Sequence, residues 1–163
     1  MAITWTKPDF KLPEPKFEFL LHLECDMEEF HMIGKGPHGK RATVIFKGGR
    51  FKGPKLQGRI LPGGGDWEVI EDDSTAYLDT RYNLETDDGA VIYLQTTGVR
   101  QGPQDVLDRL GDDESITADQ YSMRLSLKFE CGDERYRWLN KLVCFAMSGR
   151  NGNMVIYDAY TLV

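Results

Sequence analysis

The chain of 163 residues contains no apolar run near the roughly 20 residues needed to cross a bilayer; its longest, such as Leu142 to Met147, are far shorter. Basic charge is also scarce. Twenty Lys and Arg face 26 Asp and Glu, giving a net charge of -6 and a pI of about 5.1. A general binder of phosphate backbones needs a basic face that displaces counterions, so nucleic acid is excluded as an expected partner, as is a membrane. The cysteines Cys25, Cys131 and Cys144 are odd in number, scattered and without a CxxC pair, which argues against a disulfide framework or a zinc site. His22, His31 and His38 fit no metal-ligand spacing, so no metal is expected. Ser122, Ser126 and Ser148 lack a GxSxG elbow, which leaves covalent catalysis without support. The stretch Met1 to Pro8 has no basic region followed by an apolar core and does not read as a secretory signal. A soluble, reducing, cytoplasmic setting is the expectation.

Glycine is what the chain has in quantity. Gly48-Gly49-Arg50-Phe51, Leu61-Pro62-Gly63-Gly64-Gly65-Asp66-Trp67 and Glu85 to Ala90 punctuate short alternating segments, as tight hairpins and bulges require. No Lys-Ser/Thr or helix follows these glycines, so they are not phosphate loops. With 40% hydrophobic residues the chain suffices for one substantial core and is short for two. Pro8, Pro13 and Pro15 mark residues 1–16 as an extended arm, and residues 17–163 as a single domain.

Within that domain, Phe17, Phe19, Leu21 and Leu23 alternate with polar residues, broken only by Leu20. A turn cluster from Gly34 to Lys40 precedes a second β-branched run, Arg41 to Lys47. Gly53, Pro54 and Gly58 mark a bend between Phe51 and Ile60. Leu78, Thr80, Tyr82 and Leu84 alternate with Asp79, Arg81, Asn83 and Glu85, and Asp87-Asp88-Gly89 predicts a hairpin into Ala90 to Gln95. Pro103 to Gly111 predicts one short helix. Tyr121 to Phe129, Trp138 to Met147 and Met154 to Val163 return to strand pattern. About eight to ten strands and one helix predict an all-β fold, a single antiparallel β-barrel, with a sandwich as the competing arrangement.

Several polar residues stand inside this pattern. Asp66 beside Trp67 could have its pKa raised and act as general acid or base, or it could be a turn aspartate beside a core tryptophan. Arg81 and Arg124 lie mid-strand, where a buried guanidinium would grip a carboxylate or phenolate, or where each could simply face solvent. Both parities of Trp138 to Met147 are largely apolar, which puts Asn140 forward as a polar group in a cavity or as a core amide bonded to backbone. Those two apolar parities also suit a barrel that forms a homo-oligomer through its outer face.

In order, Gly39-Lys40-Arg41, Gly48 to Phe51 with Gly53-Pro54 and Gly58, Leu61 to Gly64 with Asp66-Trp67, Arg81-Tyr82, Thr86 to Ala90, Tyr121 with Arg124, Tyr136 with Trp138-Leu139-Asn140, Gly149, Val155, Tyr157 and Tyr160 resemble the pattern of the family known as domain of unknown function 3237. The set spans residues 17 to 163. The resemblance implies one antiparallel barrel, calycin-like or allene-oxide-cyclase-like, and no agreed reaction, cofactor or catalytic set. Fungal relatives beside biosynthetic enzymes would imply small aromatic or polyketide-like ligands. The acidic segment Asp112 to Asp119 and the Ser122-Met123 pair before Arg124 depart from that pattern.

Two readings follow. The first is an enzyme without a cofactor, an isomerase, cyclase or lyase acting on a small organic molecule in the barrel. Asp66 would move a proton, Arg81 and Arg124 would hold an anionic group, and Trp67, Tyr121, Trp138 and Asn140 would line the pocket. The second is a non-catalytic barrel that binds a ligand or oligomerises.

Overall fold

The computed structural model describes residues 10–163, and the first nine residues of the predicted arm lie outside it. Residues 10–16 carry no strand or helix, and Lys16 exchanges backbone hydrogen bonds with Val163. Ten strands follow: β1 (Phe17–Gly36), β2 (Gly39–Lys52), β3 (Gln57–Ile60), β4 (Gly65–Asp66), β5 (Val69–Ile70), β6 (Ala76–Thr86), β7 (Val91–Gln101), β8 (Ser122–Cys131), β9 (Cys144–Asn151) and β10 (Met154–Leu162). One short α-helix, α1 (Gln104–Leu107), and one 3-10 helix, Arg137–Lys141, interrupt them.

Every pairing is antiparallel. The path runs β1-β10-β9-β8-β7-β6-β3-β2, and β2 pairs back onto β1, so the wall closes on itself as a barrel. The short strands β3, β4 and β5 fill the stretch of wall between β2 and β6 in succession. Closure leaves no long free edge in that part of the sheet.

Alternation decides what enters the lumen. On β6 the buried set is Ala76, Leu78, Thr80, Tyr82, Leu84 and Thr86, while Tyr77, Arg81 and Asn83 face outward. On β8 Met123, Leu125, Leu127, Phe129 and Cys131 point in. The irregular Leu20 has a structural cause: the β1–β10 register shifts between Phe19 and Leu21, so a bulge buries Leu20 and Leu21 together. The Asp-Gly turn also forms, with Gly89 at φ +86° and the Thr86 hydroxyl accepting from the Ala90 N–H at 2.9 Å.

Two plugs close the barrel ends. The segment between β7 and β8 buries Val106, Leu107, Leu110 and Ile116 over one end. At the other end the 3-10 helix buries Leu139, with Trp138 and Leu142 packed against the core. The strand expected over Trp138 to Met147 therefore needs correcting: a helical plug comes first, and β9 begins only at Cys144. Both parities of that stretch are apolar for two different reasons. Leu139 caps the lumen, whereas Val143, Phe145 and Met147 lie exposed on the outer wall of the barrel.

Candidate functional site in the barrel interior

Asp66 owes its place to the glycines before it. An added Cβ on Gly64 would lie 2.3 Å from Cβ of Tyr82, and one on Gly65 would lie 2.7 Å from the Val44 carbonyl oxygen, so only glycine lets this segment wedge so tightly between β2 and β6. The two-residue β4 then pairs on both sides, placing Val44, Asp66 and Thr80 abreast across three strands. All three are buried. Alternation continues along the segment: Asp66 points in, Trp67 out, and Glu68 in.

The resulting cavity, about 40 Å³, is lined by Asp66, Glu68, Arg100, Arg150, Tyr82 and Tyr157 together with Thr80, Thr96, Cys25 and apolar neighbours. That is room for about two or three water molecules or one small functional group. Burial, with the Glu68 carboxylate nearby, pushes the Asp66 carboxyl up to about 7, against the opposing effect of the Asp79 N–H donated to its Oδ1 at 2.9 Å and of Arg100. Proton donor and acceptor forms are then both populated near neutrality. Arg100 and Glu68 form an ion pair at 3.8 Å with side chains only 14% and 4% exposed. Burial lowers the Arg150 guanidinium pKa, as does the nearby Arg100 charge.

Hydroxyls complete the interior. Tyr82 and Tyr157 join oxygen to oxygen at 2.5 Å, and Thr80 and Thr96 do the same at 2.5 Å. Burial raises both phenols well above their ordinary range, so they stay protonated donors. The Cys25 thiol is pushed up to about 12 by burial, which leaves it a poor nucleophile. Beside the cavity, a surface cleft of about 560 Å³ between the 114–119 loop and β9–β10 shares Arg150 and Tyr157 with it.

The other residues picked from the sequence are placed as follows. Arg81 and Arg124, expected to hold an anion inside, project from the outer wall because each has the polar parity of its strand. Arg81 pairs with Asp79 at 3.1 Å on the surface, and Arg124 donates to the Met123 carbonyl at 3.0 Å beside an outer groove. Trp67 is 38% exposed and lines no part of the cavity, its backbone carbonyl accepting from Arg41 at 2.8 Å. Tyr121 is buried at the edge of the site, where its hydroxyl accepts the Arg150 backbone N–H at 2.7 Å. Trp138 sits on the opposite plug under the Lys55 ammonium, 5.4 Å from its ring. Asn140 is exposed there, and its amide bonds both N–H and C=O of Cys131, taking the place of a strand neighbour. Of these seven only Asp66 lines the cavity; Tyr121 reaches it through Arg150, and the other five stand outside it.

Glu68, Arg100 and Arg150 were not picked out from the sequence, although a parity signal marks each. Arg100 continues the inward series Ile92, Leu94, Thr96, and Arg150 continues Cys144, Ala146, Ser148. Among the described residues there is no cluster of three or more His, Cys, Asp or Glu arranged to hold a metal ion.

Known proteins share this architecture. The "UPF0311 protein" of Rhodopseudomonas palustris (strain TIE-1) is 31% identical over 151 residues, covering 93% of this chain and 99% of the relative. The crystal structure of a β-barrel-like protein from Acinetobacter baumannii AYE is 39% identical, with a TM-score of 0.84 over 95% of this chain and 100% of that one. A crystal structure described as an enzyme from Penicillium herquei shares the fold at 19% identity, TM-score 0.67, over 94% and 98% of the two chains. The profile of the family described as "Protein of unknown function (DUF3237)" matches residues 15–162, and with nearly the whole barrel matched the chain belongs to the DUF3237 family.

Proposed function

We infer that the barrel interior binds a small organic molecule and that Asp66 transfers a proton to or from it, in a reaction of the isomerase, cyclase or lyase type. The observation that carries this reading is the Asp66 carboxyl, buried in a largely apolar cavity that also holds Glu68 and two arginines, and held at about 7. A general acid–base group works best when its pKa lies near the operating pH, and such placement contributes about 10²- to 10⁴-fold in rate. An ordinary turn aspartate is solvated and stays near its usual value, so the bland alternative fits this residue poorly.

The cavity takes one functional group, and the shared cleft beyond Arg150 and Tyr157 offers room for the body of a larger molecule. An aromatic ligand of the size suggested by the family resemblance would enter with its reacting end first. The Penicillium herquei protein that shares this fold is described as an enzyme. Here that is an analogy of fold only.

The test begins with native mass spectrometry of protein purified from its own host, to identify a retained small molecule. Wild type and Asp66→Asn are then incubated with that molecule in D₂O. Wild type is expected to incorporate deuterium or convert the ligand, and Asp66→Asn to lose about 10²-fold or more of that rate. Equal rates in the two proteins would remove Asp66 from the chemistry. A ligand bound by both and altered by neither would make this a binding barrel.

A further inference from the structure

Arg100 Nε is the one buried side-chain nitrogen or oxygen atom without a hydrogen-bond partner among the described residues. A buried guanidinium N–H left unpaired costs more than a neutral donor would, and native interiors rarely tolerate it without a reason. Glu68 does not relieve it. Their closest approach is 3.8 Å, to Nη2, beyond hydrogen-bond length. The other acid in the cavity, Asp66, spends its Oδ1 on the Asp79 backbone N–H.

Charge points the same way. Arg100 and Arg150 both line the cavity, and the Arg100 charge disfavours that of Arg150 there. Arg150 is held for this position: Tyr121 fixes its backbone N–H, and its Nε donates to the Gly152 carbonyl at 2.9 Å, so its terminal nitrogens stay uncommitted to that bond. Against two cations the cavity offers the Glu68 carboxylate and an Asp66 carboxyl that burial keeps largely protonated below neutrality. While Asp66 holds its proton, one further anion would balance the charges that line the cavity. A guanidinium presents its donors in a planar fork matched to the two oxygens of a carboxylate, and a carboxylate also fits a space of this volume.

We propose that the interior cavity binds the carboxylate end of its ligand between Arg100 and Arg150, with Arg100 Nε as the donor that the bound oxygen satisfies. This rests on the reading of the interior as the ligand site, and it names the class of molecule: a small organic acid, or a larger molecule entering carboxylate first. The Asp66 carboxyl beside the anchored group would then face the carbon skeleton next to it.

The test needs no knowledge of the natural ligand. In ¹⁵N-labelled protein, the Nε–Hε resonance of Arg100 is followed while sodium acetate is added at constant ionic strength, with chloride as the balancing salt and sodium phosphate as a second probe. A saturable shift with acetate is expected, absent with chloride and weaker with phosphate. Arg150→Gln should weaken acetate binding about tenfold or more, as loss of a charge-assisted contact does. Arg100→Gln should abolish the rise in melting temperature that acetate gives the wild type, and the wild-type melts with and without acetate supply a reading that does not depend on either variant folding. No saturable acetate response in the wild type, an equal response to chloride, or unchanged affinity in Arg150→Gln would overturn the proposal. Acetate binding together with full activity of Asp66→Asn would sink the catalytic reading and leave the carboxylate site standing, so the two failures are distinguishable.

Discussion

Two places on this barrel look like sites, and they are opposites. The interior cavity is small, about 40 Å³, and sets two acids, two arginines and paired hydroxyls among apolar side chains. The outer groove is wide, about 790 Å³, and lined by Phe17, Val99, Phe145, Met147 and Tyr160, with Arg124 as its cation. Volume alone would favour the groove. Chemistry favours the cavity, because desolvation there shifts Asp66 and strands Arg100 Nε, whereas a charge on the outer wall is open to solvent. Equivalent residue types, arginine for arginine, therefore differ in consequence according to which side of one strand wall they occupy.

Arginine substitution gives the largest expected contrast. Arg100→Met removes the partner of a nearly fully buried Glu68, and leaving such a carboxylate unpaired costs about 3 to 5 kcal/mol. Urea denaturation at pH 8 measures it. Arg124→Met, made in parallel on the outer wall, should stay within about 0.5 kcal/mol. Equal losses in the two variants would erase the distinction between the two regions.

The next effect is a pH dependence specific to the interior. Asp66 has a folded-state pKa of about 7 against an ordinary value of 3.8, and the groups that face it are Glu68, Asp79, Tyr82 and Arg100. Below pH 3.8 both folded and unfolded chains carry the proton, and the stabilising contribution is fully present. As pH rises toward 7 the unfolded chain has released its proton while the folded one retains it, so stability falls and the contribution is lost once the folded group ionises. The full loss is on the order of 4 kcal/mol, of which about 3 kcal/mol falls between pH 5 and pH 8. In Asp66→Asn, which keeps an acceptor for the Asp79 N–H, this slope should vanish. Parallel unfolding curves at pH 5 and pH 8 for the two proteins decide it, and a wild-type slope that survives in the variant assigns the titration to another group.

A smaller effect belongs to the tyrosine pair. Tyr157→Phe leaves the buried Tyr82 hydroxyl without its 2.5 Å partner, at about 1 to 2 kcal/mol by thermal melt. Tyr82→Phe should cost a similar amount, and the double variant less than the sum of the two, since the second substitution removes the orphaned group.

These contrasts were partly legible in the sequence. The antiparallel barrel, the Asp-Gly hairpin and the short helix after Pro103 all follow from local pattern, since alternation and turn chemistry act over a few residues. Asp66 stood out as a carboxylate beside an indole, yet Trp67 points outward, and it is burial with Glu68 nearby that raises the carboxyl. Arg81 and Arg124 stood out for the wrong reason: Leu78, Thr80, Tyr82 and Met123, Leu125, Leu127 already define the inward parities, and both arginines fall on the other one. Read through to the strand ends, the same rule picks Arg100 and Arg150. What local pattern does not carry is the wedge of β4 between β2 and β6, or the folding of residues 137–141 into a plug, because both depend on segments distant in the chain.

The smallest expected effect lies in the groove, and it is the sharpest check on the comparison. Met147 is 52% exposed and sits beside Arg124 on β8's neighbour β9, with no buried partner to strand. Met147→Gln should therefore change stability by less than about 0.5 kcal/mol in melts of dilute protein, as exposed substitutions do. A loss several times larger would mean that the apolar wall is covered in solution, and that water does not screen Arg124. The groove would then share the desolvation that now sets the cavity apart, and the charge argument made for Arg100 would have to be applied to Arg124 as well.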